Sequence, residues 1–364
     1  MNNENMNNKK WILILSPILL IILLIIIFAN SNKSPSLQIP AIINSDNVEF
    51  KIKGSNENFS LSKGSKITII EKNNDAFFIE ADNKQGYVEK DKLTYFKFNS
   101  EEEYSLVLDV SKFNIINKNL KDFVEFAKFI VDNKINYTYI RLCGRGWGEK
   151  GTMYDDEYAF DYAEMCEYLK IPYGFYYIEE AKNNDEVLEE VNYVKKLLNG
   201  KNLSMNVLPL ALDLEYQHGK GRTDDMWDSR VTLVNALVDE FNKNNIPTIL
   251  YANGARIETY LKSANCKFWS AMYPENDEVP SKDYKSFIVE EEAKIRTLQE
   301  SINDSVLNSD LNKSETQTVT YSDEYLDKVI GWQFTESGAK KSGIDKYIDL
   351  SIFNNKFLMS LFQQ

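Results

Sequence analysis

Two carboxylates, Asp213 and Glu215, stand two positions apart at the end of the apolar run 208–212. Side chains alternate between the two faces of a strand, so both carboxylates are predicted to share one face, with Leu212 and Leu214 on the other. The apolar flanks favour a buried strand, where an unpaired charge is costly and is usually retained for function. The alternative is a chance Asp-x-Glu on a solvated strand edge.

A pair of carboxyl groups is what glycoside hydrolysis needs. One stays protonated and gives its proton to the leaving oxygen, while the other is ionised and stabilises positive charge or attacks the anomeric carbon. Mutual repulsion and partial burial would raise one pKa and leave the other low. Asp109, which ends the apolar run 106–108, is a third candidate for the same site.

Aromatic and polar residues end the other predicted strands. Aromatic rings beside carboxylates suit sugars, whose C–H faces stack on indole and phenol, although a single aromatic residue is more often part of a core. We expect substrate contacts from Tyr176, Tyr177, Tyr251, Trp269, Tyr273, Trp332, Gln333, Asp345 and Asp349. His218, just after the acidic pair, either contacts substrate or is a solvated loop residue, and the second interpretation is favoured.

These residues must be positioned by the elements from residue 104 onward, where apolar strands alternate with helical periods. Amphipathic stretches over 120–132, 158–170 and 225–244 predict helices. The predicted strands are 106–110, 137–142, 173–177, 207–214, 248–252, 268–272, 329–334 and 347–352. Repeated βα units predict an α/β domain with a parallel sheet, closed as an irregular (β/α) TIM-like barrel over 104–358. The active site of such a barrel lies at the carboxyl ends of the strands.

A polar, Ser/Asn/Glu-rich insertion is expected over 277–328. It contains the stretch 288–305, which has the pattern of an exposed helix. A structureless segment of this length inside a domain is unusual, so the insertion is either a lid or a disordered flap. The sequence leaves both open.

The stretch 38–98 is predicted to be a separate small β domain. Short alternating runs separated by turn-forming residues predict a meander of about five strands. Leu61-Ser62-Lys63-Gly64 and Gly86-Tyr87-Val88 resemble the bacterial SH3-like domains of wall hydrolases, although Phe77-Phe78 stand where those domains more often place a tryptophan. The resemblance implies a small all-β SH3-like barrel that binds cell-wall peptide. A rigid spacer is the alternative.

The amino-terminal residues predict one transmembrane helix. Residues 11–29 form an uncharged run that, at about 1.5 Å per residue, extends roughly 28 Å, about the thickness of the hydrocarbon core. Lys9 and Lys10 precede it, so 1–10 is expected in the cytoplasm, 30–37 is a linker, and the remainder lies on the cell-wall side. A cleaved signal peptide is the competing interpretation, but the run is long for a signal core and lacks a clear cleavage site.

Composition narrows the function further. A chain of 364 residues predicts two or three units. With 55 Asp and Glu against 42 Lys and Arg, the net charge is −13, which disfavours nucleic acid as a partner. The three cysteines, interpreted as free thiols, and the single histidine fit neither zinc spacing, nor a disulfide framework, nor a Ser-His-Asp triad. No metal or cofactor is expected.

A set of short segments, in order along the chain, resembles the glycoside hydrolase family 25 lysozymes, the muramidases that cut peptidoglycan. The segments are Leu108-Asp109-Val110-Ser111, Tyr139-Ile140-Arg141, Ile171-Pro172-Tyr173-Gly174-Phe175-Tyr176-Tyr177, Leu212-Asp213-Leu214-Glu215, Ile246-Pro247-Thr248-Ile249-Leu250-Tyr251, Phe268-Trp269-Ser270-Ala271, Gly331-Trp332-Gln333-Phe334, Gly343-Ile344-Asp345 and Ile348-Asp349-Leu350. No single segment is specific, but the ordered set covers about 105–356 except the insertion. Arg141, in the second segment, joins the expected substrate contacts.

The resemblance implies an irregular barrel of eight strands and five helices that cuts the β-1,4 bond from N-acetylmuramic acid to N-acetylglucosamine. It makes Glu215 the general acid. Asp213 would steer the substrate's 2-acetamido group or stabilise the cationic intermediate. Asp109 would line the cleft, and Asp345 or Asp349 would complete the acidic set.

Two features depart from the family's pattern. The family often has Tyr-His-Phe after the glycine of the third strand, whereas this chain has Tyr176-Tyr177-Ile178. A hydrogen bond from that histidine to substrate must therefore come from Tyr177 or be absent. The 277–328 insertion is longer than expected and leaves the shape of the cleft open. Neither departure removes a carboxylate.

Three functions compete. The favoured one is a membrane-anchored muramidase that acts on the peptidoglycan glycan strand near the membrane. The second is a non-catalytic cell-wall-binding protein tethered to the membrane, against which the intact Asp109, Asp213 and Glu215 argue. The third, a chitinase-like glycosidase, is disfavoured because Pro209 and Ala211 occupy the steps before Asp213 where such enzymes carry further Asp residues.

Overall fold

The computed structural model describes residues 38–73, 76–98, 104–114, 120–215, 221–223, 225–271, 322–335, 349–355 and 357–358. The chain divides into two units between Leu93 and Thr94. Within these described ranges, no helix has the length and apolar character needed to cross a bilayer. The predicted membrane segment 11–29 and the linker 30–37 lie outside the described residues.

One sheet of seven strands makes up the first unit. The strands are β1 (Ile39–Ile43), β2 (Val48–Ile52), β3 (Asn58–Leu61), β4 (Lys66–Lys72), β5 (Ala76–Ala81), β6 (Lys84–Glu89) and β7 (Leu93–Thr94). Their order across the sheet is β3-β2-β6-β5-β4-β1-β7. In β2, Val48 and Phe50 are buried while Glu49 and Lys51 are exposed, as the period of two requires.

This sheet differs from the expected meander of about five strands. The sheet has two more strands than expected. Its strands also pair out of sequence order, as β1 does with β4 and β2 with β6. Strands β3 and β7 span only four and two residues, too few for alternation to be recognised. The β2–β6 pairing also depends on Gly86, because a Cβ there would lie 2.0 Å from the carbonyl oxygen of Lys51.

The second unit is built on a closed barrel. Its strands are β8 (Tyr104–Val110), β9 (Tyr137–Arg145), β10 (Met153–Asp155), β11 (Tyr173–Ile178), β12 (Leu210–Leu214), β13 (Thr248–Asn253), β14 (Lys267–Ala271), β15 (Val329–Thr335) and β16 (Asp349–Asn354). The order is β10-β9-β11-β12-β13-β14-β15-β16-β8, and a further β8–β9 pairing closes the ring. Only β10 stands outside the ring, antiparallel to β9.

The last strand corrects the predicted all-parallel sheet. From β8 through β15 the neighbours in the ring are parallel, but β16 runs antiparallel to both β15 and β8. A parallel strand needs a crossover to the other end of the sheet, whereas a directly returning strand pairs antiparallel, and apolar pattern alone does not encode this choice. As a result, β16 begins with Asp349 directly opposite Asp109 of β8.

Helices connect the early strands. They are α1 (Leu120–Asp132), α2 (Ala159–Leu169), α3 (Asn184–Leu198) and α4 (Trp227–Lys243), with α5 (Asp323–Leu326) later in the chain. The prediction over 120–132 coincides with α1, and α2 and α4 lie inside their predicted ranges. Sequence analysis did not single out α3, although Val187, Val191 and Val194 form its buried stripe and Asn183 caps it.

The barrel interior is filled by one alternating set of strand side chains. Aromatic residues dominate it: Tyr137, Tyr139, Tyr251, Trp269 and Phe353 belong to the same buried cluster as Val107, Ala211, Ile249 and Ala271. Asp109 and Asp213 follow Val107 and Ala211 by two residues on the same strands, so they share this inward face. This interior cluster, called the floor below, therefore lies directly beneath the carboxylates of Asp109 and Asp213.

Part of the expected insertion packs against the barrel. Residues 272–321 lie outside the described residues, but 322–328 include α5. Tyr325 of α5 is buried, and its hydroxyl is 2.6 Å from the hydroxyl oxygen of Ser270 in β14. Glu258 accepts hydrogen bonds from the amide and hydroxyl of Ser322, which fixes the chain where it re-enters the domain.

Candidate active site

Four carboxylates meet at the edge where the parallel strands end. Asp109 comes from β8, Asp213 from β12, Glu215 from the residue just after β12, and Asp349 from the start of β16. A hydrogen bond joins the carboxyl groups of Asp109 and Asp349. Besides burial, which is the larger cause, the charge of Glu215 raises the pKa of both Asp109 and Asp213. The four groups therefore form one electrostatically coupled cluster.

Asp109 is the member with the most defined hydrogen bonds. Its Oδ2 accepts a 3.1 Å bond from Nε2 of Gln333, and the Oε1 of Gln333 accepts a 2.7 Å bond from the hydroxyl of Tyr251. Burial raises the pKa of Asp109 to about 7, although the bonds to Gln333 and Asp349 oppose the shift. Burial, together with repulsion from Glu215, therefore outweighs these two hydrogen bonds and favours the protonated form of Asp109.

Asp213 is buried as well, with 5% of its surface exposed. Burial, then repulsion from Glu215 and from Asp109, raises its pKa well above the ordinary value, while Arg141 opposes the shift. Its Oδ1 is buried and has no hydrogen-bond partner among the described residues. A buried polar atom without a partner is expensive, which marks it as a candidate contact for a ligand.

Glu215 differs from the other carboxylates because it is exposed. It follows β12 directly, so its position depends on the strand that also carries Asp213. The predicted placement of Asp213 and Glu215 side by side thus gives one buried and one accessible carboxyl group. The accessible group is the one that can contact a bound molecule from outside the barrel.

Arg141 and Tyr176 lie beside this cluster. They are register partners on β9 and β11. The Nε of Arg141 donates a 2.8 Å hydrogen bond to Oδ2 of Asp156, and the two side chains form a buried ion pair. Burial, then the charge of Asp109, raises the pKa of Tyr176, while Arg141 lowers it. Arg141 is thus a fixed positive charge at the rim of an acidic site.

Tyr251 and Trp269 belong to the floor below the carboxylates. The Trp269 ring stacks on Tyr139 at 4.8 Å between centroids and meets Tyr251 edge-on at 4.7 Å. Its Nε1 donates a 3.0 Å hydrogen bond to the hydroxyl of Ser351. With 2% exposure, Trp269 supports the site from below, whereas Tyr251 acts on it through Gln333.

The structure places Tyr177 and Trp332 on the opposite faces of their strands. The hydroxyl of Tyr177 donates a 3.2 Å hydrogen bond to Oε2 of Glu190 in α3. Trp332 precedes the inward-facing Gln333 and packs against Phe334 at 6.0 Å between ring centroids. Neither residue is brought to the carboxylates in this structure. Tyr273, Asp345 and His218 lie outside the described residues.

Sequence reasoning missed a network of buried charges behind the strand ends. Arg145 of β9 pairs with Glu190 of α3 at 2.6 Å, and Arg230 of α4 pairs with Glu179, which follows β11. Burial, then the charge of Glu179, raises the pKa of Glu190 to about 8, against the opposing effect of Arg145. A sequence signal exists, because Glu179 lies two residues after the predicted strand 173–177.

Arg222 and Thr223, which follow Glu215 in the chain, are held by a further set of hydrogen bonds. Arg222 donates two hydrogen bonds to the carboxylate of Glu186, at 2.8 and 2.7 Å, and a third to the backbone oxygen of Glu180 at 3.1 Å. Thr223 donates a 2.7 Å bond to the Glu180 side chain. Because these partners lie in the loop after β11 and in α3, the chain on both sides of 216–220 is anchored to neighbouring elements.

In chemical terms, the site offers one exposed carboxyl group beside buried ones whose pKa values are raised. Such a set can deliver a proton to a bound substrate and stabilise a developing positive charge. Within the part of the chain that the structure describes, no three His, Cys, Asp or Glu side chains are grouped as metal ligands.

Comparison with known proteins identifies the first unit. A family model for the SH3-like domain of the teichoic acid transporter subunit TagH matches residues 40–97. The expected SH3-like domain is confirmed by this match, and the chain combines it with a mixed α/β barrel. No curated protein sequence matches this chain.

Several solved structures are similar to the chain at low sequence identity. The spore cortex lytic enzyme SleM of Clostridium perfringens is 18% identical, with 71% of this chain and 69% of that chain covered and a TM-score of 0.46. The autolysin LytC of Streptococcus pneumoniae is 19% identical, with 80% and 60% covered and a TM-score of 0.44. A family GH25 lysozyme from Aspergillus fumigatus is 15% identical, with 71% and 98% covered and a TM-score of 0.42. Similarity at this level assigns no residue a role.

Proposed function

We propose that this protein is a peptidoglycan hydrolase that cuts the β-1,4 bond between N-acetylmuramic acid and N-acetylglucosamine. The observation that carries the proposal is the exposed Glu215 standing beside the buried Asp213 and Asp109 and the half-buried Asp349 at the edge of a closed barrel. Hydrolysis of a glycosidic bond needs an acid at the leaving oxygen and negative charge near the anomeric carbon. The choice of a muramyl substrate rests on the ordered segments that resemble family 25 lysozymes.

Glu215 is the acid in this mechanism. A general acid must come within hydrogen-bond reach of the leaving oxygen, and Glu215 is the carboxylate of the set that is exposed. Repulsion between Glu215 and its neighbours Asp109 and Asp213 disfavours ionisation of all three groups together, so the set holds protons. Glu215, as the accessible member, gives a proton to the leaving oxygen.

Asp213 stabilises the positive charge that develops on the sugar as the bond breaks. Its raised pKa reflects burial and the repulsion of Glu215 and Asp109. As positive charge develops on the sugar, an opposite charge nearby becomes favourable and the pKa of Asp213 falls. Its unpartnered Oδ1 is available to contact the substrate's 2-acetamido group or the cationic centre. The substrate thus supplies the partner that the free protein lacks.

The charge around Glu215 also depends on three neighbours, Asp109, Asp349 and Gln333. The hydrogen bond from Gln333 orients Asp109, and the bond between Asp109 and Asp349 keeps a proton on that pair. Asp109, Asp213 and Asp349 then place fewer than three negative charges around Glu215. This arrangement limits repulsion without removing any carboxyl group from the cleft.

The remaining parts of the chain would place this reaction at the wall. We propose that residues 11–29 anchor the protein in the cell membrane with the barrel on the cell-wall side, and that the SH3-like domain binds wall peptide. Cleavage would then be confined to glycan near the membrane. These assignments come from the apolar run and the SH3-like resemblance described above.

Turnover of purified cell wall by the full-length protein tests the proposal, with mass spectrometry of the released fragments. We expect fragments that end in reducing muramic acid. Glu215→Gln should reduce the rate by roughly two or more orders of magnitude. Glu164→Gln, an exposed carboxylate of α2, is the matched control and should keep the wild-type rate.

Two outcomes would overturn the proposal in different ways. Tight wall binding without released fragments, equal in wild type and Glu215→Gln, would leave a non-catalytic wall-binding protein. Fragments released equally by wild type and Glu215→Gln would keep the hydrolase but remove Glu215 as its acid.

A further inference from the structure

Phe113 is an exposed aromatic residue close to the carboxylate cluster. With 73% of its surface exposed, it is the most exposed large hydrophobic side chain among the described residues. It lies in the 3-10 turn Lys112–Asn114, directly after β8, the strand that carries Asp109. A single exposed hydrophobic residue is ordinary on a protein surface, so the position of this ring near the carboxylates is what makes it a candidate contact.

The turn that carries Phe113 is tightly held. The backbone amide of Ser111 donates to Oδ1 of Asn114 at 2.6 Å, and the amide of Lys112 donates to Oδ2 of the buried Asp156 at 2.9 Å. The amide of Phe113 itself donates to the hydroxyl of Ser111 at 3.3 Å. The exposed ring therefore extends from a fixed backbone, which reduces the entropy that a ligand contact would cost.

Arg141 links Phe113 to the candidate site. Its guanidinium lies over the Phe113 ring, 4.8 Å from the centroid, while its Nε is bonded to Asp156. The same guanidinium lowers the pKa of Asp213, so it also lies within electrostatic range of that carboxylate. A fixed cation therefore lies over the ring, the Nζ of Lys112 is 5.7 Å from its centroid as well, and 73% of the Phe113 surface is still exposed beside the carboxylates.

We propose that Phe113 is a stacking platform for a pyranose ring of the glycan strand, in a binding position next to the cleaved bond. The inference rests on the proposed function, because it takes its ligand class from that reaction. The C–H face of a pyranose is apolar and flat enough to pack on an aromatic ring, while its hydroxyl groups need polar partners at the edge. Arg141, over the same ring, supplies donors for those hydroxyl groups.

The platform accounts for two features that a structural role leaves unexplained. A core residue would be buried, yet 73% of the Phe113 surface is exposed. Its turn is nevertheless fixed by two internal hydrogen bonds and by a third to the buried carboxylate of Asp156. Exposure and rigidity together are what a preformed contact surface requires.

Binding measured without turnover tests the platform. The full-length protein carrying Glu215→Gln is titrated with a chitin oligosaccharide, which has the sugar backbone but no peptide, and the dissociation constant is compared with that of the same protein carrying Phe113→Ala. We expect Phe113→Ala to weaken binding by about tenfold, as the loss of an aromatic contact predicts. Phe113→Tyr should restore it, since the ring face is kept.

Leu188→Ala is the matched control. Leu188 is 46% exposed on α3 and is also a large hydrophobic side chain in water, so its removal should leave the dissociation constant unchanged. All variants should have the same midpoint of thermal unfolding, because neither side chain is buried. In the active protein, Phe113→Ala should raise KM for glycan more than it lowers kcat, since Phe113 does not contact the reacting atoms.

The outcomes separate the platform from the proposed reaction. Loss of oligosaccharide binding in Phe113→Ala, with no hydrolysis by the wild type, would keep the platform and overturn the proposed function. Equal affinity with and without Phe113, in a protein that hydrolyses wall, would overturn the platform alone. An effect of Phe113→Ala seen only with peptide-bearing wall fragments would also overturn it, since the ligand would then be the peptide.

Discussion

The hydroxyl of Tyr251 donates a 2.7 Å hydrogen bond to Oε1 of Gln333, a residue 82 positions later in the chain. This contact decides which end of the Gln333 amide faces Asp109. With the oxygen occupied by Tyr251, the Nε2 group points to Oδ2 of Asp109 at 3.1 Å. A phenol on one strand thereby controls the hydrogen bond that a carboxylate on another strand receives.

Removal of the Tyr251 hydroxyl should therefore change the titration of Asp109. In Tyr251→Phe the Gln333 amide loses its fixed orientation, and the hydrogen bond that lowers the pKa of Asp109 weakens. We expect this pKa to rise above about 7 and the free energy of unfolding to fall by about 1 kcal/mol. Carboxyl-carbon NMR titration and urea unfolding measure the two effects.

Tyr139→Phe is the control for this experiment. The Tyr139 hydroxyl donates a 3.1 Å bond to the backbone oxygen of Pro209 in the same floor, away from Gln333. It should lose similar stability and leave the pKa of Asp109 unchanged. An unchanged pKa in Tyr251→Phe as well would show that the amide keeps its orientation without the phenol.

Stability should depend on pH through Asp109. Burial raises its pKa in the folded state to about 7 from the ordinary 3.8, so the folded protein holds this proton more tightly than the unfolded chain does. The stability that Asp109 contributes is fully present below about pH 3.8 and is lost as the pH rises through about 7. Asp109→Asn cannot ionise and still accepts the bond from Gln333, so it should be more stable than wild type at about pH 8 and nearly equal to it at about pH 4.

Urea unfolding of both proteins at the two pH values checks this expectation. Asp239→Asn, at an exposed position of α4, should follow the wild type at both. A stability difference between wild type and Asp109→Asn that is the same at both pH values would mean that Asp109 is not the titrating group.

Removal of Arg145 and removal of Glu190, the two partners of a buried ion pair, should lower the free energy of unfolding by different amounts. Arg145→Met leaves Glu190 without its ion-pair partner inside the fold, and we expect a loss of about 3–5 kcal/mol in the free energy of unfolding. Glu190→Gln should be milder, because Arg145 keeps its pair with Glu189 and its hydrogen bond to the backbone oxygen of Gly151, so no buried charge loses all its partners. Chemical unfolding at pH about 7 compares them. Equal losses would contradict this asymmetry.

Arg222, Glu186 and Glu180 form a clamp through the three hydrogen bonds of Arg222, and this clamp should be sensitive to a single methyl group. Gly151 has φ +49, and a Cβ there would lie 2.1 Å from Nη1 of Arg222. We expect Gly151→Ala to displace Arg222 from Glu186 and to lower kcat on wall, because Arg222 is only seven residues from Glu215 in the chain. Gly200→Ala is the control, because Gly200 also has a positive φ, of +73, but nothing lies near its Cβ. If both variants have equal activity, the clamp does not position Glu215.

Local pattern was enough to predict most strands and helices of the second unit. The run before Asp213 is one example, since apolar residues on both faces of a strand predict a barrel strand buried on both sides. Helix α1 is another, because its amphipathic period is continuous from end to end. In the first unit, the strand count failed where β3 and β7 were too short to show alternation.

The direction of β16 and the faces that side chains take on the strands are known only from the folded chain. Asp349 reaches Asp109 because β16 runs antiparallel, which no pattern of apolar residues encodes. Tyr176 and Tyr177 are identical neighbours whose side chains alternate along β11, and the folded chain decides that the first faces the carboxylates and the second faces Glu190.

The sequence by itself determined which carboxylates could act, because their types, their spacing of two and their apolar flanks are local properties. Tertiary structure decided how those carboxylates differ, since burial, like-charge repulsion and the hydrogen bond from Gln333 arise only when distant strands meet. A pKa depends on the surroundings of a group in space. That is why Asp213 and Glu215, two residues apart in sequence, become a buried and an exposed member of the same site.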